Sequence, residues 1–540
     1  MTSVAASVSP SSTGGPLSPL RHRVFAVVWS ATVISNIGSW LQSAAAGWLM
    51  TELTPNPRIV ALVQVASYLP MFLFVLPAGA LADVLDRRRL LLVMEVIGTI
   101  LTVVFALLVR LDRVAPVTLL AFILLAGIAE ALATPAWQAI VPQLVPRQDL
   151  AQAVALNSVG INISRAIGPA LAGLIIVDLG MAAPFWLNAV SNLAVLAALL
   201  WWRAPVETST RLPPERLSRA MGVGLRYALH SPPLRATVAH AAGFFLFASA
   251  YWALLPLVAR TQLAGGARLY GVLLGAIGLG AIVGAFALPS LRRALGPDKL
   301  MAVGTAGTTA ALVLFGLAHR PGTALAASLL AGASWIAVLG TLNISAQVSL
   351  PAWVRGRGLA VFATVLFGAM ALGSALWGQV ASSLGLSTAH FIAAGGSIAM
   401  IPLLWRSKLQ TGADIDLSPS MHWPEPVLFK GAEKERGPVL VTVEYRVKLE
   451  DRDPFLVALA KVGAERRRDG AFDWGVFEDA ANEGRFVETF LLDSWLEHLR
   501  QHQRVTKADR AVQEAVARFD TRGAPKVTHF IAATPSESNG

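Results

Sequence analysis

There is no cysteine among the 540 residues. Disulfides, thiolate metal sites and cysteine nucleophiles are therefore excluded. Charge is also scarce, at 14% of residues, against about 25% in an average soluble domain. A water-soluble chain of this length would expose too much apolar surface with so little charge. The scarcity is local. Residues 1–410 hold 26 Lys/Arg and 11 Asp/Glu, a net of +15, while residues 411–540 hold 18 and 22, a net of −4. The first material suits lipid and the second suits water. No positively charged segment precedes an apolar core in the first 20 residues, which are rich in Ser, Pro, Gly and Ala; they read as a tail, not a signal peptide. A glycine-rich phosphate loop is missing, which disfavours ATP-driven chemistry. A nucleic-acid patch is missing too.

What is present is long apolar runs. A helix needs about 20 apolar residues to cross a bilayer. Stretches free of Asp, Glu, Lys and Arg cover 24–51, 59–82, 179–202, 236–259, 269–291, 300–319, 321–354 and 358–405. Stretches 90–109, 114–146 and 150–177 hold one charge each. The run 358–405 breaks near Ser382–His390 into two, giving twelve expected spans. Runs this long exclude a lipid-facing barrel, whose strands alternate over about 10 residues. A helical bundle satisfies its own backbone. With the N-terminus in the cytoplasm, the inner segments collect 19 Lys/Arg and the outer loops 6, so both termini are expected inside.

The sequence also repeats at an offset of 205. Leu124-Leu125-Ala126-Gly127 recurs as Leu329-Leu330-Ala331-Gly332, and Ala166–Gly173 recurs as Ala371–Gly378. Gly79 followed by Arg87-Arg88 recurs as Gly284 followed by Arg292-Arg293, and Pro146 falls on Pro351. Two six-helix halves joined by a basic connector are transporter architecture, with sites near the midplane between the repeats.

These features resemble the major facilitator superfamily. Gly79-Ala80-Leu81-Ala82-Asp83-Val84-Leu85-Asp86-Arg87-Arg88 is similar to its cytoplasmic loop signature, departing from it at Val84 and Asp86. The resemblance implies a gating role for Gly79, Asp83, Arg87 and Arg88; positive-inside anchoring explains part of the arginine run equally well. Gly160, Gly168, Pro169 and Gly173 resemble the glycine/proline signature of proton-linked drug antiporters, with Ser164 and Ala172 in place of two glycines. Ile34–Met50, Glu130–Leu150 and Pro351–Gly358 look most like the siderophore- and drug-exporting branch, the transmembrane secretion effectors. The resemblance spans residues 20–405. It implies a proton-coupled exporter of small amphipathic molecules in a bacterial inner membrane.

Three charges fall inside spans: Glu95, Glu130 and Arg165. Each costs at least about 2.5–3.5 kcal/mol at the bilayer centre, so each is a candidate for proton coupling or gating. At 1.5 Å per residue, Glu130 and Arg165 lie roughly 16 and 21 Å deep, a depth that permits a pair. A purely structural ion pair is the competing reading. At the 205 offset the three positions become Leu300, Trp335 and Met370, so coupling is expected in the first half. Candidate cavity residues are Ser35, Ser39 and Gln42 on the first span, Thr134 and Trp137 on the fourth, and Asn162 on the fifth. Phe247 and Tyr251 on the seventh and Trp335, Asn343 and Gln347 on the tenth complete the set. The family places spans one, four, seven and ten around the cavity. Ordinary interhelical bonding is the alternative for any one of these residues.

The expected organisation is a tail (1–20), a first half (21–203), a basic cytoplasmic connector (204–235), a second half (236–405), a linker (406–436), a soluble domain (437–533) and a short tail (534–540). In the soluble domain Val439, Val441, Val443, Tyr445 and Val447 alternate as a strand. The order βαββαβ reads as a ferredoxin-like sandwich. It resembles the dimeric barrel of antibiotic-biosynthesis monooxygenases, which implies a homodimer through this domain and leaves open a tethered enzyme. His498 and His502 stand at i, i+4, but two histidines without a third ligand read as an exposed helix face. Neither metal nor cofactor is expected. Trp474 and Trp495 read as core. Partners are thus a small-molecule substrate, protons and the bilayer. An importer or uniporter remains a rival.

Overall fold

The computed structural model describes residues 15, 17–203, 217–411, 416–420, 422–423 and 436–533; the side chains of residues 80, 82–84, 147 and 217–221 lie outside that description. Six helices build the first half: α1 (Arg23–Leu53), α2 (Pro57–Val84), α3 (Arg87–Arg110), α4 (Pro116–Leu144), α5 (Leu150–Leu179) and α6 (Ala183–Trp201). After α7 (Leu217–His230), the second half has α8 (Pro232–Leu257), α9 (Ala267–Gly316), α10 (Pro321–Val348), α11 (Arg355–Leu384) and α12 (Leu386–Leu404). Among the described residues, eleven helices are long and apolar enough to cross a membrane. One of them, the 50-residue α9, breaks at Gly296, where φ is +73°, so the apolar runs amount to twelve spans.

Helix boundaries follow local chemistry. Asn56 accepts a hydrogen bond from the Arg58 amide at 3.0 Å ahead of Pro57, a capping residue followed by a proline in the first turn. Asp86 likewise accepts from the Arg89 amide at 2.7 Å to open α3. The duplication extends to backbone conformation. Gly180 ends α5 at φ +87° and Gly385, 205 residues on, ends α11 at φ +89°. Both turns need the left-handed region that glycine enters without cost.

Contacts divide the chain into two units. The first is Met1–Pro214, Ala241–Thr341 and Ala363–Arg406. In it, Phe105 lies 4.1 Å from Phe122 and 5.0 Å from Phe185, ring centre to ring centre, inside the first half. Large apolar side chains such as Val104, Val117, Leu372 and Leu403 are exposed, as a lipid-facing surface requires. α1 begins and α12 finishes at the same end of the bundle, called here the terminal end; the opposite end is the far end. There the halves approach closely: a Cβ on Gly173 of α5 would stand 2.7 Å from the Ala267 carbonyl oxygen of α9.

The second unit is Glu215–His240, Leu342–Phe362 and Ser407–Gly540. It holds α7, which forms within the expected basic connector, and a four-stranded antiparallel sheet in the order β2-β3-β1-β4. The strands are β1 (Val439–Arg446), β2 (Phe472–Glu478), β3 (Arg485–Leu492) and β4 (Lys526–Ile531); the helices are α13 (Arg452–Arg468), α14 (Trp495–Arg504) and α15 (Lys507–Ala517). The alternating residues Val439, Val441, Val443 and Tyr445 are buried and pack in one core with Phe455, Leu459, Phe486, Phe490 and Trp495. On the opposite sheet face Phe472, Leu491, Leu440 and Phe530 align across all four strands.

Candidate functional site

The charged side chains of the first half do not form the pair that similar depth allows. Glu95 on α3 is half-buried, and the Trp137 indole of α4 is in hydrogen-bonding reach of its carboxylate. Glu130 is near enough to interact with Glu95 and is itself exposed. Thr134 donates to the Glu130 backbone oxygen at 2.8 Å. Among the described residues no ion pair links Glu130 to Arg165. The Arg165 guanidinium lies 5.4 Å from the Trp40 ring centroid, and its Nε is buried without a hydrogen-bond partner. Depth along two helices says nothing of rotation about them. Glu130 turns toward α3, whereas Arg165 turns toward α1.

The polar residues of α1 separate in the same way. Ser35 donates to Asn192 Oδ1 at 2.9 Å, and Gln42 accepts from Asn188 Nδ2 at 2.8 Å, so both are bonded to α6 rather than turned to a cavity. Ser39 is exposed between them. On α5, Asn162 is exposed and donates to the Ser158 carbonyl at 2.8 Å. Gly160 and Gly168 pack on α1, where added Cβ atoms would meet Val33 at 2.7 Å and Trp40 at 2.5 Å. Gly173 faces Gly271 of α9 instead, where a Cβ added to Gly271 would also stand 3.1 Å from the Pro169 carbonyl oxygen. The signature glycines thus serve two interfaces, one within a half and one between halves.

In the loop signature, Gly79 faces open space: a Cβ added there would meet nothing within 4 Å. The Asp83 side chain lies outside the described residues. Arg87 opens α3. Arg88 donates to the Leu199 carbonyl at 2.8 Å and the Leu200 carbonyl at 3.0 Å, closing the C-terminal end of α6. A cation there complements the helix dipole, and both contacts lie inside one half.

The second half carries an aromatic cluster. Trp335 lies 5.0 Å from Phe245, 5.5 Å from Trp252 and 6.5 Å from Tyr251. Tyr251 is fully buried, with the Trp252 indole in hydrogen-bonding reach of its hydroxyl, while Phe247 and Trp335 are half-buried. Phe247 packs on Trp377 at 5.9 Å. Asn343 and Gln347 belong to the second unit. Sequence reasoning missed His390. It is fully buried on α12, beside Phe315 at 5.9 Å, with Nδ1 on the Leu386 carbonyl and Nε2 unpaired. The signal existed: His390 is the one titratable side chain in the run 358–405.

At the far end the halves are latched. Arg260 donates to Thr51 Oγ1 at 3.2 Å and stands 5.7 Å over the Trp48 ring. Trp48 stacks on Tyr270 at 5.9 Å and donates to Glu52 at 2.7 Å. Arg260 sits in a single π-helical turn, Val258–Gln262, a local unwinding that often marks functional positions.

In the soluble domain, His498 is buried, not part of an exposed face as expected. Its Nε2 is 3.3 Å from His502 Nε2, and its ring is 4.6 Å from His529 of β4. Burial, with the neighbouring His502 and His529, pushes His498 down to about 3. Trp495 is core, and Trp474 donates to the buried Glu488 at 2.9 Å.

The sequence profile of the transmembrane secretion effector family matches residues 14–537. The chain is 29% identical to the enterobactin exporter EntS of Shigella boydii over 362 residues, 66% of this chain and 85% of that protein. It is 27% identical to the staphyloferrin A transporter of Staphylococcus aureus over 277 residues, 50% and 67% respectively. Solved structures share the fold. A peptide-complexed POT family transporter aligns at a TM-score of 0.59 with 13% identity, covering 71% of this chain and 96% of that one. A bacterial homologue of the lysosomal transporter Spinster, inward-facing and unoccupied, aligns at 0.52 with 16% identity, covering 72% and 95%.

Proposed function

This chain belongs to the transmembrane secretion effector family and is a multi-pass membrane transporter of the major facilitator type; we propose that it exports a siderophore or similar small amphipathic molecule, in exchange for protons, across the bacterial inner membrane. The observation that carries this reading is the likeness to the enterobactin exporter, which spans 85% of that protein's length. The positive-inside bias supports placing the terminal end in the cytoplasm.

Glu130 is the proposed proton carrier. It is exposed on α4, beside Glu95 and Trp137, and holds no cation partner among the described residues. A carboxylate at this depth requires water or a partner, so the face it shares with Thr134 is the proposed aqueous side of the cargo path. The far-end latch of Arg260, Thr51, Trp48 and Tyr270 supports a path shut on that side. The apolar row on the open sheet face of the soluble domain supports pairing with a second copy, with residues 437–533 as the domain that pairs.

Purified protein in proteoliposomes, given enterobactin and an imposed pH gradient, tests the reading. Export driven by the gradient is expected, with coupled proton movement. Glu130→Gln is expected to keep cargo binding and lose the response to the gradient. Because Arg165 rests on Trp40, adding Arg165→Met is not expected to restore it. Gradient-driven transport by Glu130→Gln would overturn the coupling role.

A further inference from the structure

The soluble domain grips the membrane helices through a defined contact. α7 presents Arg226, whose Nη1 donates to the Gly470 carbonyl at 3.0 Å, just past the end of α13. Beside it Tyr227 is 2% exposed and donates to the Ser349 carbonyl at 3.3 Å. Ser349 opens the loop between α10 and α11. Trp353 of the same loop meets Tyr227 edge-on at 5.8 Å. Two arginines of the soluble domain cover this aromatic pair: Arg468 stands 5.5 Å from the Tyr227 ring and Arg504 4.6 Å from the Trp353 ring. Both are fixed from behind. Arg468 binds Asp469 at 2.9 Å and Asp509 at 2.8 Å, and Arg504 binds Glu497 and the Asp469 carbonyl. Burial pushes the Tyr227 hydroxyl up to about 12, so it stays a neutral donor.

The linker adds a strap. The Gln410 amide donates to Ser345 Oγ at 3.1 Å, and Ser345 Oγ is 2.8 Å from Thr237 Oγ1 of α8. Further along, the Ser420 amide donates to the Val505 carbonyl and the Lys507 amide to the Ser418 carbonyl. One soluble domain therefore holds α7, the 349–354 loop and the ends of α8 and α10 in a single arrangement. Cation–π contacts strengthen when desolvated, and tethering keeps the partners at high effective concentration.

We propose that the soluble domain is a brake: docked on Tyr227 and Trp353, it holds the α10–α11 loop still and slows the conformational cycle of the transporter. This rests on the reading of the chain as an alternating transporter. A contact that stabilises one arrangement above the others slows exit from it. The loop is also the 205-offset counterpart of the α4–α5 loop, where Ser18 donates to Asp149 at 2.6 Å and His22 contacts it at 2.8 Å. In each half, chain from outside the spans thus engages the equivalent loop.

The test uses the full chain, which lacks cysteine. A protease site is inserted within residues 424–435, and Met50→Cys serves as a reporter, at a fully buried position next to Thr51 at the far end. After cleavage the soluble domain is expected to co-elute with the bundle. With Arg226→Gln and Trp353→Leu it is expected to separate, and the reporter thiol is then expected to react with an impermeant maleimide at least about threefold faster. This readout needs no cargo, so it fails or succeeds independently of the siderophore assignment. Separation from the unsubstituted bundle, retention in the double variant, or separation without faster labelling would each overturn the proposal. A control carrying Arg226→Gln alone guards against misfolding caused by the tryptophan change: weakened co-elution and intermediate labelling are expected, and unchanged values in both would also overturn it.

Discussion

Single side chains here are governed by which neighbour they face. Glu130 and Arg165 sit at similar depth yet have different partners, because about 100° of helix rotation per residue decides azimuth independently of rise. His498 shows the same principle in water. Its burial between Trp495, His502 and His529 disfavours the charged ring, with Arg466 adding repulsion. An unfolded histidine titrates near about 6.5. As pH falls from 6.5 toward about 3, the unfolded chain takes up a proton that the folded site refuses, so stability is complete above that range and declines within it. The soluble domain is expected to lose about 1–2 kcal/mol between roughly pH 7 and pH 5 from this group. Pulse proteolysis of the full chain at both pH values, followed at the soluble domain, measures it. His498→Asn should flatten the slope, and an unchanged slope would place the acid sensitivity elsewhere.

Among the elements, helix crossings are set by glycines whose roles differ. At the α5–α9 crossing the neighbours of Gly173 are backbone atoms, which cannot rotate away. Gly173→Ala is expected to destabilise the bundle by about 1–3 kcal/mol, the usual overpacking range. Gly79 meets nothing within 4 Å. Gly79→Ala should leave thermal stability unchanged or raised by up to about 1 kcal/mol, since alanine favours the helix. Thermal unfolding in detergent ranks the two. Should Gly79→Ala retain stability while transport falls, the glycine is needed for a conformation other than this one.

For the molecule as a whole, the charge bias predicts both termini in the cytoplasm. A reporter fused after Gly540 that is active only in the periplasm should stay silent, and periplasmic activity would overturn the topology. Bundle and soluble domain have separate cores, one of buried side chains such as Phe25, Leu91, Ile140 and Leu199 between first-half helices and one built on β1 and β3. Deleting residues 437–540 is therefore expected to leave the bundle inserted.

Sequence alone determined the apolar runs, the repeat and the strand alternation, because each is a periodic property of consecutive residues. Even the left-handed glycines at 180 and 385 follow the repeat offset. The family was legible in the signatures around Gly79 and Gly168. Tertiary structure alone decided which polar residues meet. Ser35 and Gln42 turn to α6, Arg88 closes α6, Arg165 rests on Trp40, and His390 lies hidden among aromatics. Those outcomes depend on helix rotation and on partners far along the chain. The docking of Arg468 and Arg504 on Tyr227 and Trp353 belongs to the same class, since no local pattern in either segment encodes the other.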